Sequence, residues 1–475
     1  MVLGILTDTV TRGLDNAAAT LSETLFEPTL RIGVTGLSRA GKTVFITALI
    51  ANLLDRGRMP ALAAEAEGRV LAAFLQPQPD DTVPRFAYED HLAALTGTTP
   101  RWPESTRAVS QLRLSLRLKP GGMLSGLQGP RVLHLDIVDY PGEWLLDLAL
   151  MDRSYADWST AMLSRLPDRP GGTEIAAQLA AEDGAAPFDE TRARVLAEAY
   201  TAGLHAARAA GFSDCSPGRF ILPGELAGSP ALTFAPLPPD PSAPRRSLWR
   251  EMERRYDAYK ARIVAPFFRD HFARLDRQVV LVDALGALAA GPAAVADLQR
   301  VLTDVLQAFR PGTNAFLSQL FLGRRVEKIL IASTRADHLH HSQHARLAAF
   351  TDALLRSARD RARFAGADTQ AMAIAALRAT TETSVPSSGG AVDCVQGTPI
   401  DANGARGALA AFHPGDLPED PTALLAALAE GGADWPLGNF EALRFAPAAY
   451  VAKPGLGPPH IRLDRAAQFL IGDKL

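Results

Sequence analysis

The sequence predicts an α/β protein: a doubly wound sheet interrupted by a large, mostly helical insertion and followed by a C-terminal α+β extension. Three observations carry this. A short apolar strand at 30–35 runs into a glycine-rich loop and a helix in "LRIGVTGLSRAGKTVFITALI". Runs of strand length recur at 111–118, 131–138, 278–283, 327–333 and 371–377. The stretches between and after them far exceed what six strands need, and 475 residues exceed the size of a single hydrophobic core.

In chain order, the first segment, "MVLGILTDTVTRGLDNAAATLSETLFE", has neither the basic start nor the apolar length of a signal peptide, and no apolar run reaches spanning length. A soluble cytoplasmic protein is expected. Val2, Ile5, Leu6, Val10, Leu14 and Leu21 form a helical stripe that fits packing on the protein's own domain. Peripheral membrane contact through that stripe is left open and not predicted. With 49 basic and 52 acidic residues the net charge is -3, so no nucleic-acid partner is expected. The two cysteines, Cys215 and Cys394, are far apart and suit neither a disulfide framework nor a zinc site.

Gly36, Gly41, Lys42 and Thr43 satisfy G-x-x-x-x-G-K-[ST] between a strand and a helix, the context in which that pattern holds phosphate. Backbone amides from Gly36 through Ser38, Arg39, Ala40 and Gly41 to Val44 would curl around the phosphates. Lys42 would reach the β and γ groups, and the Thr43 hydroxyl would take Mg²⁺. Gly57 stops the helix. Beyond it, "PALAAEAEGRVLAAFL" and "FAYEDHLAALTG" read as helices, giving a helical extra segment over about 58–98.

The loop "RWPESTR" precedes the strand at 111, and Thr106, with Ser105 as its rival, is the expected switch hydroxyl for magnesium and catalytic water. Arg101 and Arg107 flank it as candidate cis arginine fingers. The alternating run "SQLRLSLRLKP" would pair with 131–138 as a hairpin, as in Ras-like domains. The second of these strands ends in Asp139-Tyr-Pro-Gly142-Glu143, where Asp139 would hold Mg²⁺, the Gly142 amide would sense a γ-phosphate and Glu143, where Ras-like GTPases carry a water-orienting Gln, would either polarise water or repel the phosphates and slow hydrolysis. A second D-x-x-G, Asp283 to Gly286, reads as structural.

A mostly helical insertion is expected over 145–275. In "SLWREMERRYDAYKARIVAPFF", Trp249, Met252, Tyr256, Tyr259, Ile263 and Phe267 recur at helical spacing, with Arg250, Arg254 and Arg255 turned outward. After the strand at 327–333, Thr334-Arg335-Ala336-Asp337 is close to the [NT]-K-x-D pattern that reads guanine, with Asp337 accepting from the base edge and Arg335 in the lysine's place. Ala376 and Leu377 would bring a backbone amide to the base. In "DHLHHSQH", His340 and His344 fit one helical face, but no carboxylate or cysteine nearby in sequence completes a metal set.

These motifs, with the blocks "RWPESTR", "DYPGEW", "RQVVLVDALGALAAGP", "TRADH" and "PHIRLDRAAQFLIGDKL", resemble the YcjX-like family of bacterial Ras-like P-loop proteins over most of the chain. The resemblance implies GTP and GDP binding and a link to stress response. The organisation expected is a discontinuous GTP-binding core over 28–144 and 276–385, the insertion, and an extension over 386–475 packed on the core. A slow Mg²⁺-dependent GTPase switch acting on an unknown protein effector is the first reading. An ATP-dependent ATPase or kinase, and a nucleotide-binding scaffold without turnover, are the alternatives.

Overall fold

A computed structural model describes residues 27–475, apart from 38–39, 105–107, 121–128, 309–325, 365–366, 388–389, 402, 432–434, 439 and 451–452. The N-terminal stripe therefore lies outside the described residues. Strands β1 (Thr29–Gly36), β2 (Val70–Gln76), β3 (Ser110–Leu118), β4 (Arg131–Asp139), β5 (Arg277–Val282), β6 (Lys328–Ser333) and β7 (Asp368–Ala373) form one sheet in the order β2-β3-β4-β1-β5-β6-β7. β1 runs parallel to β4 on one side and β5 on the other, and β5, β6 and β7 continue parallel. β3 is antiparallel to both neighbours, and it forms the expected hairpin with β4.

The inner strands are mostly apolar because both of their faces are covered, and the buried Asp136 of β4 is paired with Arg113 of β3. Along β5, Val279 and Leu281 join a cluster with Phe45 and Leu49 of the helix Lys42–Leu54, whereas Val280 and Val282 join the cluster that contains the insertion. β6 divides in the same way, with Leu330 and Ala332 on one face and Ile329 and Ile331 on the other. The final helix, Leu463–Ile471, packs on the first face. It is anchored by the fully buried Arg277, which donates to the Leu470 carbonyl at 2.9 Å and pairs with Asp473 at 2.8 Å.

Two sequence expectations change here. The helix expected across 60–75 is helical only at Ala63–Ala66; Gly68 turns the chain at φ 64°, and Val70–Gln76 becomes the edge strand β2. Its alanines favour helix, yet the ladder to β3 overrides that local preference. The last sheet strand ends at Ala373, so 374–377 form a loop at the strand end instead of continuing the strand.

Within 145–275 the described residues fold into helices, including Tyr155–Arg165, Gly172–Ala180, Glu190–Ala209 and Leu248–Tyr259, around an aromatic centre. Trp158 stacks on Tyr256 with ring centroids 5.1 Å apart, and Phe234 meets both edge-on. Arg255 does not point outward as expected. It is buried against Glu190, Glu251 and the Thr233 carbonyl, because a buried guanidinium needs several acceptors. Arg250 and Arg254 pair with Glu253 and Glu251, so the arginine face carries its own counter-charges.

Strands β8 (Thr381–Ser387), β9 (Gly390–Gly397) and β10 (Ala410–Phe412) form a separate antiparallel sheet. Position 386, where the extension was expected to begin, falls inside β8. No helix among the described residues is long and apolar enough to cross a membrane.

Candidate functional site

The C-terminal ends of β1, β5, β6 and β7 open into a cleft of about 440 Å³. Gly36 closes β1, Gly41 takes a left-handed turn at φ 75°, and the helix Lys42–Leu54 starts with its N-terminus facing the cleft. The Phe45 amide already bonds to the Gly41 carbonyl at 2.9 Å, which fixes the helix start. Gly36 and residues Ala40 to Val44 line the cleft. Ser38 and Arg39 lie outside the described residues. Lys42 Nζ is 3.5 Å from Asp139 Oδ1, a buried carboxylate at the end of β4 paired in register with Val34. Thr43 and Asp139 are hard oxygen donors beside the lysine, and a small octahedral cation such as Mg²⁺ suits this donor chemistry.

Gly142 must be a glycine. A Cβ there would lie 1.8 Å from the Gly36 carbonyl oxygen, so the D-x-x-G backbone rests directly on the end of β1. The next residue, Glu143, is buried and pairs at 2.7 Å with Arg208, at the end of the insertion helix Glu190–Ala209. Both line the cleft.

The insertion then grips the segment that follows. Trp144 donates to the Leu222 carbonyl at 3.1 Å with the Arg219 guanidinium over its ring. A Cβ on Gly218 would lie 2.0 Å from the Glu143 carbonyl oxygen. The buried Asp147 accepts from the Gly218 amide at 2.8 Å and from the Tyr259 hydroxyl at 2.6 Å. Burial pushes the Asp147 carboxyl up to about 7, against the pull of those two donors.

This gives a pH prediction with a definite sign. The fold binds the Asp147 proton more tightly than the unfolded chain, so the stabilisation this group contributes is complete below about pH 4 and is lost as pH rises toward 7. The loss amounts to roughly 4 kcal/mol. Asp147→Asn should flatten this dependence when urea midpoints are compared between pH 5 and 7.5. An unchanged slope would mean that Asp147 is ionised in the fold.

At the other end of the cleft, the Thr334 amide bonds to the Val282 carbonyl at 3.0 Å, and Arg335 follows in left-handed backbone at φ 61°. Arg335 pairs with Asp283, which also caps the helix Ala284–Ala290 by accepting from the Gly286 amide at 2.9 Å. Asp337 is buried, and its Oδ2 accepts from the Ala379 amide at 2.7 Å. Burial raises its carboxyl to about 6, with that amide pulling it down.

The amides of Ala375 and Arg378 are tied to the carbonyls of Ile461 and Pro459. Those of Ala376 and Leu377, between them, have no protein acceptor among the described residues and line the cleft. One wall comes from the C-terminal extension: His338 Nδ1 lies 3.0 Å from the Leu443 carbonyl, and Trp102 Nε1 donates to the Phe445 carbonyl at 2.7 Å.

The cleft thus gathers Lys42, Thr43, Glu143, Thr334, Arg335, Asp337, Ala376 and Leu377, with Asp139 and Gly142 against its floor. Thr106, Ser105 and Arg107 lie outside the described residues. Arg101 is exposed and does not line the cleft. Sequence reasoning missed Arg208, one arginine among several in a long insertion, and Asp147. Asp283 was read as structural, which its helix cap supports; its pairing with Arg335 was not foreseen. His344 is buried against the Leu339 carbonyl and does not share a face with His340.

Sheet order and glycine loop together define a mixed, mostly parallel α/β protein compatible with the P-loop class. The profile of the YcjX-like family, DUF463, matches residues 30–475, and the chain belongs to that family. It is 38% identical over 461 residues to the Ras-like GTPase YcjX of Escherichia coli K12, covering 94% of this chain and 96% of that protein. To the Ras-like GTPase YcjX of Shewanella oneidensis it is 36% identical over 472 residues, 94% of each chain.

Proposed function

We propose that the protein binds guanine nucleotide with Mg²⁺, hydrolyses GTP slowly, and acts as a nucleotide-state switch in a bacterial stress response. The observation that carries this reading is one cleft with Lys42 and Asp139 at its phosphate end and Asp337 at its base end. The relatives' name, Ras-like GTPase, supports it. Thr43 and Asp139 would hold the ion, with Thr106 as the switch ligand expected from sequence, and the ion would neutralise charge on the β and γ phosphates. Lys42 grips those phosphates. The Gly142 amide would meet the γ-phosphate, and Glu143 would orient water.

Arg208 gives Glu143 a counter-charge and brings a cation to the cleft from the insertion. Arg208→Ala should lower GTP turnover at least about tenfold while GDP affinity stays within about threefold, since the change falls on transition-state charge. Unchanged turnover would leave the pair a packing contact only.

The switch itself is the continuity from Gly142 through Trp144 and Asp147 into the insertion. Hydrogen exchange across 143–165 and 208–222, compared between GDP and a non-hydrolysable GTP analogue, tests it. Different protection in the two states supports a switch; equal protection leaves a nucleotide-binding scaffold.

A further inference from the structure

We propose that His340, His341 and Glu382 form a binding site for a divalent transition-metal ion, with Asp393 beside His340. The site goes beyond the nucleotide reading and does not depend on it. One ligand atom from each of the three residues lies within 4.8 Å of the others. His341 Nδ1 is 2.8 Å and His340 Nε2 is 3.7 Å from the same carboxylate oxygen, Glu382 Oε2. Metal–donor bonds of about 2.1 Å at tetrahedral or octahedral angles put neighbouring donors roughly 3.0–3.4 Å apart, a spacing the two distances bracket.

Three further contacts hold the donors in place. His340 Nδ1 lies 3.2 Å from Asp393 Oδ2 and 2.9 Å from the Ser342 hydroxyl. The Ser342 hydroxyl and the Asp393 carboxylate both sit on the Nδ1 side of the ring, which leaves Nε2 facing Glu382. Glu382 is fixed as well, because its Oε1 accepts from the His341 backbone amide at 3.1 Å. The set is therefore built from two distant segments: the turn after Thr334–Asp337, and the hairpin of β8 and β9.

Two imidazoles and one carboxylate select Zn²⁺, Co²⁺ or Ni²⁺ over Mg²⁺, whose hard-oxygen donors lie at Thr43 and Asp139. Three protein ligands leave room for water or an exogenous donor. The position gives the ion a structural consequence. Glu382 follows two residues after Thr380, whose hydroxyl donates to the Asp337 carbonyl, and His340 follows three residues after Asp337. A bound ion would cross-link β8 to the turn that faces the base end of the cleft.

The test is a titration of the untagged full chain with Co²⁺ and Zn²⁺ in excess Mg²⁺, following Co²⁺ visible absorption and counting Zn²⁺ per chain after equilibrium dialysis. One ion per chain is expected, with affinity at least about tenfold weaker in His341→Ala and in Glu382→Gln. His341 is largely exposed, so its replacement leaves the fold intact. Lys42→Ala, which removes the phosphate grip, should bind the ion as the parent does, which separates this proposal from the nucleotide reading. Binding of equal strength in both cluster variants, or no stoichiometric binding at all, would overturn it and leave an ion-paired histidine cluster.

Discussion

Lys42→Ala should weaken GDP and GTP binding by about a hundredfold or more while the protein remains folded. The side chain ends 3.5 Å from Asp139 at the mouth of the P-loop helix, largely shielded from water. There its ammonium would make charge-assisted contacts to phosphate, each worth about 1.5–3 kcal/mol. No atom of either main apolar cluster belongs to Lys42, so melting should show a cooperative transition. Titration with labelled GDP checks the loss. Undiminished affinity would remove the phosphate-binding assignment.

Asp337→Asn should turn base preference from guanine to xanthine. The geometry fixes the sign of the effect. One carboxylate oxygen of Asp337 is held by the Ala379 amide at 2.7 Å, and in the variant this donor selects the carbonyl of the new amide. The NH₂ group is then left at the other position, where guanine would present its own N–H donors and xanthine a carbonyl. A buried donor facing a donor is left unpaired, so a loss of about a hundredfold or more in GDP affinity is expected, with xanthosine diphosphate gaining. Competition titration with both nucleotides reads the outcome. Because the parent carboxyl lies near 6 and must be ionised to accept from the base, GDP affinity should also fall as pH drops below about 6.

What was legible in the sequence was local. The strand, five loop positions and the helix all lie between Thr29 and Leu54, so the strand–loop–helix unit can be read without tertiary information. The β3–β4 hairpin was legible for the same reason: each strand carries its own pattern and the two are adjacent in the chain. Strand β2 was not, because Ala72 and Ala73 carry helix preference and only the pairing with Leu116 and Arg117 of β3 makes them extended.

The metal cluster was hidden by distance. Glu382 lies 41 residues beyond His341, and only the return of the chain through β7 into β8 brings it to the histidines, while the pairing of β9 with β8 adds Asp393. Arg208 and Glu143 are likewise joined across 65 residues by the fold of the insertion, where no spacing rule applies. Arg255 misled through its position on an amphipathic helix. Its acceptors, Glu190 and the Thr233 carbonyl, come from elements that helical periodicity does not see.

Direct titration of the purified chain with labelled GDP, GTP and ATP in Mg²⁺ bears on the central claim, that one cleft grips phosphate at Lys42 and reads guanine at Asp337. The predicted result is saturable one-to-one binding of GDP and GTP, with ATP weaker by about a hundredfold or more because adenine leaves Asp337 without donors. Equal affinity for ATP and GTP, or no binding of either, would contradict it.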